Sequence, residues 1–247
     1  MRTLAWGATE RGPVRSVNED ALVIDTWPDG GLFIAADGMG AGGDVPGAVR
    51  DALEAFRAHY RAEPYARSLL EATLHGAVRA AQASLAAADN RMRAHSVGCA
   101  LSVLVVTGEV ARLAWVGDCR VWRLRRRLLE QLTVDHSLVE MLVAEGKLSA
   151  AEARTSPHQN ILTRTLSGRG EGPDVVESTL MSVSAGDRFL LASDGVWRAL
   201  DLMALQSRLA VRPVDLPGAA EAIVTAAMGA DGKDNGVAVV VFASDQK

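Results

Sequence analysis

Gly31-Leu32-Phe33-Ile34-Ala35-Ala36-Asp37-Gly38-Met39-Gly40-Ala41-Gly42-Gly43-Asp44 is the stretch on which the reading of this chain turns. Five apolar residues, Leu32 to Ala36, stop at an acid and give way to glycine. A short apolar run bounded by turn residues predicts a buried strand. Asp37 is therefore expected where a core strand runs out, before a loop whose backbone can approach something small. One acid at a strand end decides nothing, but the chain repeats the arrangement.

Asp20 precedes Ala21-Leu22-Val23-Ile24, and Thr26-Trp27-Pro28-Asp29-Gly30-Gly31 supplies turn chemistry before the next strand. A hairpin of that kind sets the start of its first strand beside the end of its second, so Asp20 and Asp37 should meet. A second hairpin, Cys99 to Val106 and Val110 to Val116, ends in Gly117-Asp118. Arg188 to Ser193 runs into Asp194-Gly195, and Asp234-Asn235 precedes Val237 to Phe242. Three acids follow strands and two precede them, which in antiparallel sheets brings all five to one edge. Two carboxylates ~4 Å apart repel by roughly 4 kcal/mol at an effective dielectric of 20. Such a row needs cations, and all-oxygen ligands suit hard ones, Mg²⁺ or Mn²⁺.

Six blocks occur in order: Arg15-Ser16-Val17-Asn18-Glu19-Asp20, Asp37-Gly38-Met39-Gly40, Val116-Gly117-Asp118-Cys119-Arg120, Leu132-Thr133-Val134-Asp135-His136-Ser137, Ala192-Ser193-Asp194-Gly195-Val196 and Asp234-Asn235. Together they resemble the bacterial metal-dependent protein serine/threonine phosphatases of type 2C, the PPM type. The resemblance runs from about Gly7 to Phe242. Each block alone is weak, and their order carries the signal.

The resemblance implies an α+β fold, a four-layer α-β-β-α sandwich of two antiparallel sheets flanked by helices. It also implies hydrolysis of phosphoserine and phosphothreonine on proteins, reversing a protein kinase. Asp37 would bridge two Mg²⁺ or Mn²⁺ ions, Asp194 and Asp234 would hold the first, and the Gly38 carbonyl with a water-mediated Asp20 or Glu19 would hold the second. Asn235 would support them from outside. A water between the ions would attack phosphorus, with no nucleophilic side chain. A third, weaker ion is expected between Asp118 and Asp194, because Asp118 without a cation would only add repulsion. Arg15 reads either as a solvated loop residue or as a two-pronged phosphate clamp. An arginine at this spacing in the resembled family favours the clamp. Animal relatives carry a histidine after Asp-Gly to protonate the leaving oxygen, where this chain has Met39, which has no proton to give. Ala41 stands where the family usually has a glycine.

Nothing resembling a linker divides the 247 residues, so one phosphatase domain over 1–247 is expected, with a flap at about 136–172 inside it. A hydrophobic fraction of 49% and a charged fraction of 23% suit a globular protein with a sizeable core. Net charge −4 argues against nucleic acid as a partner. Absence of a signal-like or membrane-length apolar run points to the cytoplasm and away from membranes. Cys99 and Cys119 are expected as buried free thiols. A monomer acting on phosphorylated proteins is the expected form.

Helices are expected from Asp44 as cap, over Tyr65 to Ala88, after His136 as far as Gly146, after a Ser149–Glu152 capping box, after Asp194, and from Asp215 to Met228 with Gly229 closing it. The histidines at 59, 75 and 95 lack metal-ligand spacing. Arg123 to Arg127 reads as a solvated hairpin turn, with contact to acidic phosphosubstrates as its alternative. Asp135-His136 reads as a helix-entry cap or as an acid–base dyad. Two other functions stay open: a catalytically weak relative serving as a regulatory binding module, and a metal-dependent nuclease, which the acidic balance disfavours.

Overall fold

The computed structural model describes residues 1–62, 69–92, 97–169, 172–230 and 233–245. The chain opens with β1 (Arg2–Glu10), β2 (Ala21–Trp27) and β3 (Gly30–Met39), then α1 (Val45–Ala62) and α2 (Glu71–Met92). Next come β4 (Gly98–Thr107), β5 (Val110–Val116), β6 (Arg120–Arg125) and β7 (Leu128–Gln131). An excursion follows, with α3 (Leu138–Ala144), α4 (Ala150–Ala153) and β8 (Leu166–Ser167). The remainder is β9 (Glu177–Ser182), β10 (Arg188–Ala192), α5 (Asp194–Trp197), α6 (Leu202–Leu209), α7 (Ala219–Ala230) and β11 (Gly236–Ser244).

Two antiparallel sheets result, one ordered β1-β11-β10-β6-β7 and the other β2-β3-β4-β5-β9, with β8 added on β4. The central strands are apolar on both faces because both faces are covered. In β3, Phe33 and Ala35 join Leu104, Leu113, Phe189, Leu191, Val239 and Val241 in the layer between the sheets. Their neighbours Leu32, Ile34 and Ala36 pack instead against Val49, Phe56, Leu74 and Val78 of α1 and α2. On the far side Leu190, Ala238 and Val240 meet Leu205, Ile223 and Val224 of α6 and α7. This is the expected helix–sheet–sheet–helix sandwich.

Several boundaries differ from the sequence reading. β3 continues through Asp37, which pairs with Ala100, so the acid lies inside the strand and not after it. The strand is prolonged because β4 offers partners as far as Gly98, opposite Met39. The second helix starts at Glu71 and continues to Met92, while the first part of the expected span, 65–68, lies outside the described residues. Residues Pro213–Gly218, with Pro217 among them, form a 3₁₀ turn, so α7 starts only at Ala219 and carries Gly229 inside it. Proline lacks the N–H of a regular helix interior, which explains the tighter turn. Residues Arg2–Glu10, for which the sequence reading gives no strand, pair along their whole length with β11. The Ser149–Glu152 capping box forms as read. Both cysteines are buried and free, and no helix of the described residues is long and apolar enough to cross a membrane.

Candidate active site

The hairpin arithmetic holds at residue level: Ala21 pairs with Ala36, so Asp20 and Asp37 face each other at the open end of β2–β3. Gly38 N–H donates to the Glu19 carbonyl (3.2 Å), which closes that end. Asp118 arrives through Gly117, whose φ of +83° and 2.5 Å approach of a notional Cβ to the Ala100 Cβ admit only glycine. Asp194 opens α5, and the helix start lies so close to the loop before β11 that a Cβ on Gly195 would stand 1.9 Å from the Asn235 carbonyl oxygen. That approach brings Asp194 and Asp234 together.

Asp37 stands between Asp20 and Asp194, close enough to share a carboxyl hydrogen bond with each. Burial, then the charges of Asp20, Asp194, Asp118 and Asp234, push its pKa well above the usual carboxylate range. Asp37 keeps an opening to solvent, although protein surrounds its carboxyl on nearly every side. Asp20 is raised to about 7, mainly by burial, against a hydrogen bond from Ser193. That bond, Ser193 Oγ to Asp20 Oδ2, measures 2.7 Å, while Val237 N–H donates to the same Oγ at 3.0 Å. Asp118 is also raised to about 7, by burial and by the charges of Asp194 and Asp135, with Arg198 opposing. Burial raises Asp194 too, against the pull of Arg198, and it raises Glu19.

Two arginines meet the row of acids. Arg15 Nη2 donates to Asp234 Oδ2 at 2.6 Å. Arg198 Nε donates to Asp194 Oδ2 at 2.9 Å, and its Nη2 reaches Asp118 Oδ2 at 3.4 Å and the Gln159 carbonyl at 3.0 Å. Sequence reasoning passed over Arg198. Its i,i+4 spacing from Asp194 on a helix was the available signal.

Divalent-cation chemistry fits these residues. Every donor is an oxygen, and Asp20 Oδ1 and Asn235 Oδ1 are buried without a hydrogen-bond partner. No ion pair among the described residues takes in Asp20 or Asp37. Among the described residues no three His, Cys, Asp or Glu side chains converge as a ready-made ligand set. The acids pair instead with one another and with the two arginines.

The remaining sequence candidates are structural. Asp135 holds Arg120 through both carboxylate oxygens, at 2.9 and 2.8 Å. His136 Nδ1 accepts from Gly117 N–H at 3.2 Å, and Ser137 caps α3. Asp135 and His136 thus brace the approach to Asp118, and the helix cap is the next residue. Arg126 and Arg127 form the exposed hairpin tip with positive φ, while Arg123 pairs with Glu130 and Arg125 with buried Asp187. His75 lies near Glu71 and Asp174, and His95 lies outside the described residues.

Comparison with known proteins agrees with this fold. The family model described as Protein phosphatase 2C matches residues 13–215. Serine/threonine protein phosphatase PstP of Mycobacterium tuberculosis is 31% identical over 239 residues, covering 96% of this chain, which itself spans 44% of that relative. Serine/threonine phosphatase stp of Listeria monocytogenes is 31% identical over 236 residues, covering 92% of this chain and 90% of the relative. A crystal structure of the PstP catalytic domain in complex with 2 manganese ions superposes with a TM-score of 0.85 at 28% identity, over 99% of both chains. This chain belongs to the protein phosphatase 2C family.

Proposed function

We propose that the chain is a Mg²⁺/Mn²⁺-dependent phosphatase that hydrolyses phosphoserine and phosphothreonine monoesters on proteins, as one domain over residues 1–247. The observation that carries the reading is the row of Asp20, Asp37, Asp194 and Asp234 with Arg15 at its mouth, in a chain of this family. Asp194 and Asp234, with Asp37, would hold one ion, and the Gly38 carbonyl, with Asp20 or Glu19 through water, would hold the other. Asn235 keeps Asp234 in place through its N–H, 2.9 Å from Asp234 Oδ1. Divalent ions bound there would supply positive charge to the phosphoryl oxygens and would lower the pKa of bound water. A third ion between Asp118 and Asp194 would meet the guanidinium of Arg198, which already reaches both carboxylates.

Arg15 leaves Asp234 for the phosphate, where its planar fork matches two oxygens. Among the described residues, the nucleophiles beside the row are not available to the phosphorus. Ser193 is fully buried and its hydroxyl is engaged on both sides. Burial and the nearby Asp37 push the Cys99 thiol up to about 12, and Cys119 is raised by burial and four carboxylates. Met39 offers no proton to the leaving oxygen. The substrates are phosphorylated proteins of the cytoplasm, modified by a serine/threonine kinase, and the enzyme works as a monomer. Purified protein should release phosphate from p-nitrophenyl phosphate and from a phosphothreonine peptide with Mn²⁺ and not with EDTA. Peptide binding without any release would favour the regulatory binding module instead.

A further inference from the structure

We propose that Arg198 is a built-in counter-cation: its guanidinium fills the position between Asp118 and Asp194 where a further divalent ion would sit, and it ties the flap to that position. The inference rests on reading the row of acids as a metal site. Three oxygens from three separate segments converge on one side chain. They are Asp118 Oδ2 after β5, Asp194 Oδ2 at the start of α5, and the Gln159 carbonyl in the excursion between β7 and β9. Two carboxylates and a backbone carbonyl are the donors a hard cation would take there. A guanidinium offers its N–H groups in a fixed fork and keeps its charge at any working pH.

Arg198 is held in that place and is no loose surface arginine. Its guanidinium carbon lies 4.5 Å from the centre of the Trp197 ring. Trp197 is in turn fixed, because its Nε1–H donates to the Asp118 carbonyl at 3.0 Å. The same ring receives Arg120, 3.4 Å from its centre, and Asp135 holds Arg120 through both oxygens. Asp118 therefore meets this assembly twice, through its side chain at Arg198 and through its backbone at Trp197. A divalent ion entering between Asp118 and Asp194 would face a fixed positive charge on the same oxygens.

The test counts bound Mn²⁺ by electron paramagnetic resonance on the full chain. Arg198→Gln and Arg198→Met should each bind one ion more than wild type, weakly, and Asp118→Asn should remove that added ion. In the wild-type background Asp118→Asn should leave the count unchanged. Backbone hydrogen exchange around residue 159 should quicken in Arg198→Gln without Mn²⁺ and slow when the added ion binds. A wild type that loses one ion on Asp118→Asn overturns the proposal alone, as does the absence of an added ion in whichever neutral variant melts cooperatively. A wild type that binds no Mn²⁺ and releases no phosphate overturns it together with the phosphatase reading.

Discussion

Arg15 and Arg198 stand at the two ends of one row of acids and make the same kind of contact, yet their surroundings differ. Arg15 comes from the loop before β2, its side chain is 48% exposed, and it touches one acid that is itself 34% exposed. Arg198 is 24% exposed and touches two acids, exposed by 5% and 14%, besides the Gln159 carbonyl and a tryptophan ring. An exposed single ion pair is worth little and exchanges readily. A charge held by several buried partners is costly to move. On the proposed reading, one arginine is the one to leave its acid for a phosphate, and the other is the one to stay.

The largest effect is expected at the acid between them. Asp37→Asn should lower kcat by at least about 100- to 1,000-fold, the scale of losing a group aimed at transition-state charge. Its metal-free melting temperature should not fall, because one carboxylate of the crowded row is gone. Turnover near that of wild type would remove the basis for placing the reaction at this edge.

The next effect separates the two arginines. Arg15→Ala should raise KM for a phosphopeptide by about 10- to 100-fold, the worth of a hydrogen-bonded charge, with the Mn²⁺ count unchanged. Arg15→Lys should recover only part, since the fork is lost. If Arg15→Ala altered the metal count and left KM alone, the two ends of the row would not differ as described.

A third test uses pH on the metal-free protein. Asp20 and Asp118 are both pushed up to about 7 in the folded chain, against about 3.9 when unfolded. A folded pKa above the unfolded one means stability that is complete below the unfolded value and lost as pH rises through the folded one. In EDTA the melting temperature should therefore drop by at least about 5 °C between about pH 4 and pH 8. Saturating Mn²⁺ should flatten the slope at its alkaline end. A melting temperature that holds steady in EDTA over that range would show that the row is already neutralised by protein.

The smallest effect is expected away from the row. Arg123 pairs with half-exposed Glu130 on the β6–β7 hairpin, and Arg123→Ala should cost less than about 1 kcal/mol with KM and kcat untouched. A change in KM there would revive contact between the arginine run and acidic substrates.

What the sequence determined by itself is local and periodic. Apolar runs punctuated by turns located β2, β3, β4 and β5, and hairpin geometry set Asp20 opposite Asp37 without any knowledge of distant contacts. The Ser149–Glu152 box named its own helix start because both partners lie within one turn. The tertiary structure decided what depends on long separations. β1 reads poorly as a strand because it lies at a sheet edge with mixed exposure, and only β11, from the other end of the chain, makes it one. Ser193 and Asp20 are 173 residues apart, and Arg15 and Asp234 are 219 apart. Arg198 lies close in sequence to Asp194 but 80 residues from Asp118. Periodicity says which face a residue occupies, whereas which charges meet across two sheets follows from how those faces pack. That is why the row of acids was legible in the sequence and the arginine that closes one end of it was not.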